Sequence, residues 1–434
     1  MKNSGVEWIG EIPDEWEVSK IFWLIDFING YAFEGSSLSL DLDVPVIRIG
    51  NITDNRIDYE SCLLYKEDKM LEEYSPYEGD ILIAMSGATT GKIGIATNRK
   101  AYINQRVGII RSVYNFFLKY HFQLLAFEEY IRLLSAGSAQ SNISMKQIQD
   151  FIIPLPPKET QQRIASYLDK KCSKIEETTQ NQQQVIEKLK AYKQSLITEA
   201  VTGKVKIANG KVCGEYESYK DSGVEYLGKI PLDWNIKRLR YIGKCQNGIS
   251  KGGEFFGSGY PFVSYGDVYN NLVLPETVSG LIESTHEEQK NYSVKAGDIF
   301  FTRTSETIEE VGFTSVCLKT IENATFAGFV IRVRPFTDEL IPDYSKYYFS
   351  SDAHRRFFVK EMNLVTRASL SQDLLKRLPV LIPSKEKQKE IADYLDKKCK
   401  AIDTAIEQKQ KLIVKLTEYK KSLIYECVTG KKEI

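Results

Sequence analysis

The chain has 434 residues, of which 27% are charged and 42% hydrophobic, an ordinary globular composition with room for about two to four domains. Its 58 Lys and Arg balance 58 Asp and Glu, so no global field draws it to nucleic acid, and any DNA-binding surface is local or shared with a partner. No apolar run approaches the roughly 18 residues of a membrane span, and the opening MKNSGVEWIGEIPDEW lacks an apolar leader core, which predicts a cytoplasmic protein; 7 cysteines without CxxC spacing fit a reducing compartment.

The first stretch, SGVEWIGEIPDEWEV (4–18), returns as SGVEYLGKIPLDWNI (222–236). Trp8 and Trp16, matched by Tyr226 and Trp234, read as packing anchors beside a turn at Pro13 or Pro231. Beyond this opening the halves diverge but keep their landmarks. VPVIRIGNI (44–52) corresponds to YPFVSYGDV (260–268), a short β-rich run in each half. YEGDILIAMSGATTGKIGIA (77–96) corresponds to KAGDIFFTRTSETIEEVGFT (295–314), a Gly-Asp turn, a strand, a Ser/Thr-rich loop and a second strand. NQRVGIIR (104–111) corresponds to AGFVIRVR (327–334). A helical stretch, a polar loop, a short helix and an Ile/Leu/Pro strand complete each half. Each half therefore predicts an α+β domain around a strongly bent, mixed sheet.

A long helix follows each domain. From Lys158 to Thr202 there is no Pro or Gly, and good helix formers dominate. The same pattern recurs from Lys385, without a gap, so that Tyr167 matches Tyr394 and Gly203 matches Gly430. A seven-residue register runs through Leu168, Ile175, Gln182, Leu189 and Leu196, and again through Leu395, Ile402, Lys409, Leu416 and Leu423. Four residues on lie Cys172, Thr179 and Ile186, and Cys399, Ile406 and Ile413. This is a coiled-coil pattern with a polar centre at Gln182 and Lys409. Each helix spans roughly 60 Å. The two are expected to pack on each other through Leu168, Ile175, Ile186, Leu189, Leu196, Leu395, Ile402, Ile413, Leu416 and Leu423. The alternative is that each buries its stripe against its own domain. The boundaries are globular 1–157, helix 158–205, globular 206–384 and helix 385–434, with a polar linker at 206–221.

Catalytic motifs are scarce. SGATTGK (86–92) has three residues between its glycines, and Ile93 follows its Lys, so it departs from a Walker A loop, and its flanks predict a hairpin. The 3 histidines, His121, His286 and His354, form no zinc pattern and no Ser-His-Asp set. The loops instead carry hydrogen-bonding side chains at matching places. In the first half these include Arg48, Asn51, Ser86, Thr89, Thr90, Lys92, Arg106 and Asn142. In the second they include Lys251, Ser264, Tyr265, Arg303, Thr304 and Arg367. Such side chains read base edges and hold phosphates. The loops after the Gly-Asp strands (Thr89, Thr90, Lys92; Arg303, Thr304) are the strongest candidates.

The doubled SGVEW/SGVEY opening, the Gly-Asp-Ile turns at 79–81 and 297–299, the IPLPPKETQQRIASYLD lead-in and the doubled YLDKKC and SLIxExVTGK segments together resemble the specificity subunit of type I restriction-modification systems. The resemblance covers essentially the whole chain. Two departures stand beside it. Ser384-Lys385 replaces the family's Pro-Pro, and one residue separates Glu from Gln in Glu159-Thr160-Gln161 and in Glu386-Lys387-Gln388. It implies two target-recognition domains in tandem, separated by long helices packed as an antiparallel coiled coil with pseudo-two-fold symmetry. Each domain would bind half of a bipartite, asymmetric double-stranded DNA site. It also implies two modification subunits carrying S-adenosylmethionine and motor-nuclease restriction subunits that use Mg and ATP. This chain would hold no cofactor or metal, would not be an enzyme, and would serve DNA methylation and antiphage defence. The rival readings are a scaffold that clamps two proteins and a nuclease.

Overall fold

A computed structural model of the protein describes residues 1–53, 55–135, 142–305, 310–361 and 368–434. It divides into two compact units. One holds Met1–Gln183 with Gln410–Ile434, and the other holds Gln184–Lys409.

In the first unit the strands are β1 Glu17–Lys20, β2 Asp26–Asn29, β3 Val44–Ile47, β4 Leu63–Tyr65, β5 Ile81–Ala84, β6 Ile93–Ile95, β7 Tyr102–Ile103 and β8 Val107–Arg111. All but β1 form two sheets, where the sequence predicts one bent sheet; Lys2–Asn3 with Glu11–Ile12 and Ile52–Thr53 with Arg56–Ile57 are separate two-stranded ladders. An antiparallel sheet has the order β6-β5-β8-β2. A mixed sheet has the order β7-β3-β4, with β7 parallel to β3. β7 and β8 are joined by only Asn104–Arg106, so the chain passes from the mixed sheet to the antiparallel one within one turn. The continuous apolar runs of β3 and β5 are buried along their whole length, as expected of strands covered on both faces. Helices α1 Asn115–His121, α2 Leu125–Ser135 and α3 Met145–Gln149 follow, and β9 Ile152–Leu155 pairs with β1.

β9 feeds helix α4, Lys158–Val201. The Gln161 side chain donates to the Pro156 carbonyl at 2.8 Å, locking the first turn to the strand it leaves. Helix α4 ends in a Schellman cap: Lys204 N–H reaches the Glu199 carbonyl at 2.9 Å, with Gly203 at φ +70°.

The second unit repeats this plan. Its main strands are β10 Asn235–Arg238, β11 Gly243–Asn247, β12 Phe256–Val263, β13 Leu281–Ile282, β14 Ile299–Thr302, β15 Thr304–Ser305, β16 Thr314–Val316, β17 Thr325–Phe326, β18 Val330–Pro335, β19 Ala368–Ser369 and β20 Pro379–Ile382. The antiparallel sheet is β11-β18-β14-β16 and the mixed sheet is β13-β12-β17, with β12 parallel to β17. Its helices are α5 Tyr265–Asn270, α6 His286–Asn291, α7 Pro342–Ser350, α8 Asp352–Glu361, α9 Gln372–Arg377 and α10 Lys385–Val428. The lead-in of α10 repeats that of α4: Gln388 donates to the Pro383 carbonyl at 2.9 Å. In both lead-ins the glutamine that follows the extra residue is buried.

The two long helices pack against each other in opposite directions. In the first unit Lys420 pairs with Glu176 at 2.6 Å, and in the second Lys193 pairs with Asp403 at 2.7 Å. These are the same pair with the repeats exchanged. Leu168, Cys172 and Ile175 share an apolar cluster with Leu416, Leu423 and Ile424. Leu189 and Leu196 do so with Leu395 and Ile402. Ile186 is buried and Ile413 half-buried. The alternative expectation also contributes, because the first cluster continues into Ile9, Trp16 and Phe117 of the globular part. Toward their ends the helices therefore share one apolar stripe between each other and a domain.

Candidate nucleic-acid interface

In the first unit four chain segments converge where β3, β5, β7 and β8 start or stop. Each is pinned to the next by backbone hydrogen bonds. The Ile47 carbonyl accepts from Asn104 N–H at 2.9 Å, and the Arg106 carbonyl accepts from Met85 N–H at 2.9 Å. The Met85 carbonyl accepts from Ile143 N–H at 2.9 Å, while Ser86 and Asn142 form a β-bridge. Thr89 Oγ1 donates to the Ile49 carbonyl at 3.0 Å, which ties the turn after β5 to the turn after β3. The folding energy of two sheets thus holds Arg48, Ser86, Thr89, Arg106 and Asn142 in one loop cluster.

The side chains play different parts within it. Arg48, Lys92, Arg106 and Asn142 are exposed. Thr89 and Thr90 are half-buried, and Thr90 Oγ1 donates to the Gly87 carbonyl at 2.7 Å. Asn51 is buried and turned inward. Its Oδ1 accepts from Arg48 N–H at 2.9 Å and its Nδ2 donates to Ser61 Oγ at 2.9 Å. Its amide closes the turn that presents Arg48, so Asn51 positions a neighbour and does not face solvent. Ser86 is also buried, at the start of the turn that carries Thr89.

The second unit builds the same cluster with other side chains. The Val263 carbonyl accepts from Ala327 N–H at 3.0 Å, the Phe329 carbonyl from Arg303 N–H at 2.9 Å, and the Arg303 carbonyl from Leu370 N–H at 2.7 Å. The Ser86–Asn142 bridge becomes the β15–β19 pair, with Thr304 opposite Ser369. Asp267 replaces Asn51 and accepts from Ser264 N–H at 2.8 Å. Ser264 Oγ accepts from Asp267 N–H at 3.2 Å, a reciprocal cap on α5. Tyr265 donates its hydroxyl to the Thr304 carbonyl at 2.9 Å and stacks on Tyr269. Ser264, Tyr265, Arg303 and Thr304 are all half-buried within this cluster.

Lys251 stands apart from the rest. Its ammonium donates to the Glu283 carbonyl at 2.7 Å and to Glu288 Oε2 at 2.8 Å, and lies over the Phe255 ring. That hydrogen bond is the main cause that holds the Glu288 carboxyl below the usual carboxylate range. Lys251 thus clamps a loop to α6. Arg367 lies outside the described residues.

Sequence reasoning found the segments but not the division of labour. Two polar residues in one turn look alike in a string, whereas burial separates Asn51 from Arg48. Phe329 aligns with Arg106 in the sequence but is apolar, and so lies outside the candidates chosen for hydrogen-bonding side chains. Among the described residues no group of three or more His, Cys, Asp or Glu is placed to hold a metal ion. Likewise, no helix there is long and apolar enough to cross a membrane.

The family model described as "Type I restriction modification DNA specificity domain" matches residues 13–188 and 231–415. The type I restriction enzyme EcoKI specificity subunit of Escherichia coli K12 is 22% identical over 440 residues, covering 97% of this chain and 90% of that protein. The MjaVIII specificity subunit of Methanocaldococcus jannaschii is 24% identical, covering 97% of this chain and 93% of that protein. Among solved structures, a chain from a study of assembly and conformational transition of the type I R-M system has a TM-score of 0.72 at 15% identity, covering 97% of this chain and all of that one. The HsdS subunit of Thermoanaerobacter tengcongensis has a TM-score of 0.50 at 15% identity, covering 97% and 98%.

Proposed function

Since this chain belongs to the family of type I restriction modification DNA specificity domains, we propose that it reads a bipartite, asymmetric DNA sequence, one half-site with each loop cluster. The observation that carries this reading is the repeated framework with altered side chains. The same backbone hydrogen bonds hold Arg48, Arg106 and Asn142 in one unit and Ser264, Phe329 and Ser369 in the other. Invariant scaffolding with variable tips suits the recognition of two different sequences. Exposed Arg, Lys and Asn contact phosphates and base edges, and the bases are read in the major groove.

The remaining roles follow from this reading. The chain supplies specificity and no catalysis. It works in the cytoplasm with two modification subunits, which bind S-adenosylmethionine and methylate one adenine on each strand, and with restriction subunits that use Mg and ATP. The target adenine has to leave the stack to be methylated, a step assigned to the modification subunit. The long helices set the distance between half-sites and dock the modification subunits. Zero net charge is compatible with binding because the partners close around the DNA and add phosphate contacts.

The test is methylation mapping. The chain is expressed with its cognate modification subunit in a host free of methylation, and the genome is sequenced for N6-methyladenine. The expected result is one bipartite, asymmetric motif with one methyl group on each strand. Exchanging residues 1–153 for those of a relative should change one half of the motif only. An assembled complex that binds S-adenosylmethionine but leaves no motif would overturn the reading.

A further inference from the structure

Arg106 and Phe329 occupy the same place in the two loop clusters. Each immediately precedes the long central strand of its antiparallel sheet, β8 or β18. Each gives its carbonyl to the residue that follows the Gly-Asp strand, Met85 or Arg303, at 2.9 Å. Met85 and Arg303 in turn give their carbonyls to Ile143 and Leu370. The backbone is equivalent on every side, and only the side chain differs.

That difference is chemically sharp. Arg106 is exposed and offers a planar fork of donors. Phe329 is an aromatic ring left 63% exposed, as is Phe336 at the opposite end of β18, whereas Phe300, Phe301 and Phe326 of the same domain are fully buried. Burying a Phe side chain stabilises a fold, and the fold forgoes most of that gain here. The backbone that carries it is fixed: Val330 N–H closes the turn onto the Ala327 carbonyl at 3.0 Å. Its carbonyl accepts from Arg303 N–H, and Arg303 leads into the β15–β19 pair that carries Thr304 and Ser369.

The major groove offers hydrogen-bonding edges and a single apolar feature, the 5-methyl group of thymine. An arginine fork matches O6 and N7 of guanine, and a phenyl ring matches that methyl group. On the reading that these clusters recognise DNA, we propose that Arg106 and Phe329 are corresponding specificity determinants. Arg106 selects guanine in the half-site read by the first unit, and Phe329 selects thymine in the half-site read by the second.

The test starts from the methylated motif and uses the full chain complexed with its modification subunit. Binding is measured on duplexes in which each thymine of the second half-site, on either strand, is replaced singly by deoxyuridine. This removes the 5-methyl group and leaves every hydrogen-bonding edge intact. One replacement should weaken binding about fourfold, the equivalent of one buried methyl-sized group at ~0.8 kcal/mol. The same replacement should have no effect on the Phe329→Ala complex, and Phe329→Leu should keep part of the effect. Phe329→Arg should move the motif toward guanine at that position, and Arg106→Phe should relax a guanine in the other half-site. Because the ring is exposed, Phe329→Ala should leave the melting temperature unchanged.

A flat deoxyuridine scan, or a second half-site without thymine, would overturn the assignment. So would a Phe329→Ala complex that keeps its thymine dependence, or a Phe329→Ala chain that no longer assembles with its modification subunit, since the ring would then be a protein contact. Binding with no sequence dependence at all would instead bring down the DNA reading beneath it.

Discussion

His121 and His354 are each 2% exposed or less, and burial pushes both pKa values down to about 3. The Phe117 carbonyl opposes this weakly at His121. At His354 burial is joined by the nearby Arg355 charge, while Ser351 and Gly312 carbonyls lie 3.0 and 3.3 Å from its ring nitrogens and oppose the shift. Unfolded, a histidine titrates near 6.5. The unfolded chain therefore binds more protons than the folded one between about pH 3 and 6.5. Stability should be full above pH 6.5 and fall below it, by about 1.4 kcal/mol per pH unit for each histidine. Melting temperature measured from pH 7.5 to 5 checks this, and His121→Phe with His354→Phe should flatten the slope. A second residue-scale pair sits at the base of each domain. Arg111 bonds the buried Asp80 at 2.7 Å, and Arg334 bonds the buried Asp298 at 2.5 Å. Each Asp also accepts a backbone N–H across its Gly-Asp turn, from Tyr77 or Lys295 at 2.8 Å. Asp80→Ala leaves the half-buried Arg111 guanidinium without its carboxylate and Tyr77 N–H without its acceptor, and should cost about 2 kcal/mol by denaturant unfolding.

At the scale of elements, the ends of the long helices and the repeated opening phrase form one device. Gly430 abuts Pro13 and Trp16 in the first unit, and Gly203 abuts Pro231 and Trp234 in the second. Lys431 donates to the Ile9 carbonyl, and Lys204 donates to the Leu227 carbonyl at 3.0 Å and to the Lys229 carbonyl at 2.8 Å. Both glycines are left-handed, with φ near +70°, and an added Cβ would lie 2.4 Å from a proline ring carbon. Gly430→Ala combines backbone strain of about 1–2 kcal/mol with that clash. It should lower the melting temperature measurably, with Gly203→Ala doing the same. The phrase VTGK, which the sequence marks as a helix stop, is thus also a docking surface for the SGVEW or SGVEY phrase. By contrast, Lys193–Asp403 and Lys420–Glu176 lie at the surface, and breaking either should change stability by less than about 1 kcal/mol.

For the whole molecule, formal neutrality with 58 charges of each sign means that binding depends on where charge is placed. Lys92 and Arg48 are exposed beside the first cluster. If each contacts a phosphate, Lys92→Ala or Arg48→Ala should weaken binding across sequences and lower the salt-dependence slope by about one each. Binding measured from 50 to 200 mM salt checks this, with unchanged melting as the control. The chain path also matters at this scale. The first unit includes both Met1–Gln183 and Gln410–Ile434, so the last stretch of the chain covers apolar surface laid down by the first. Removing 410–434 would expose Trp16, Leu168 and Ile175. It should destabilise the first unit more than the loss of a surface helix would.

The sequence by itself determined the repeat, the two long helices with their caps, the hairpin after each Gly-Asp turn and the segments that carry polar loops. These are local matters of propensity, period and turn chemistry, and an internal copy doubles each observation. The tertiary structure alone decided that each domain has two main sheets, because sheet membership depends on which distant strand a run pairs with. It also decided that Asn51 and Ser264 act as caps, that Lys251 is spent on Glu288, and that Phe329 stands exposed where Arg106 stands in the other half. Whether a side chain faces solvent is set by what the rest of the chain leaves uncovered, and no local window contains that information.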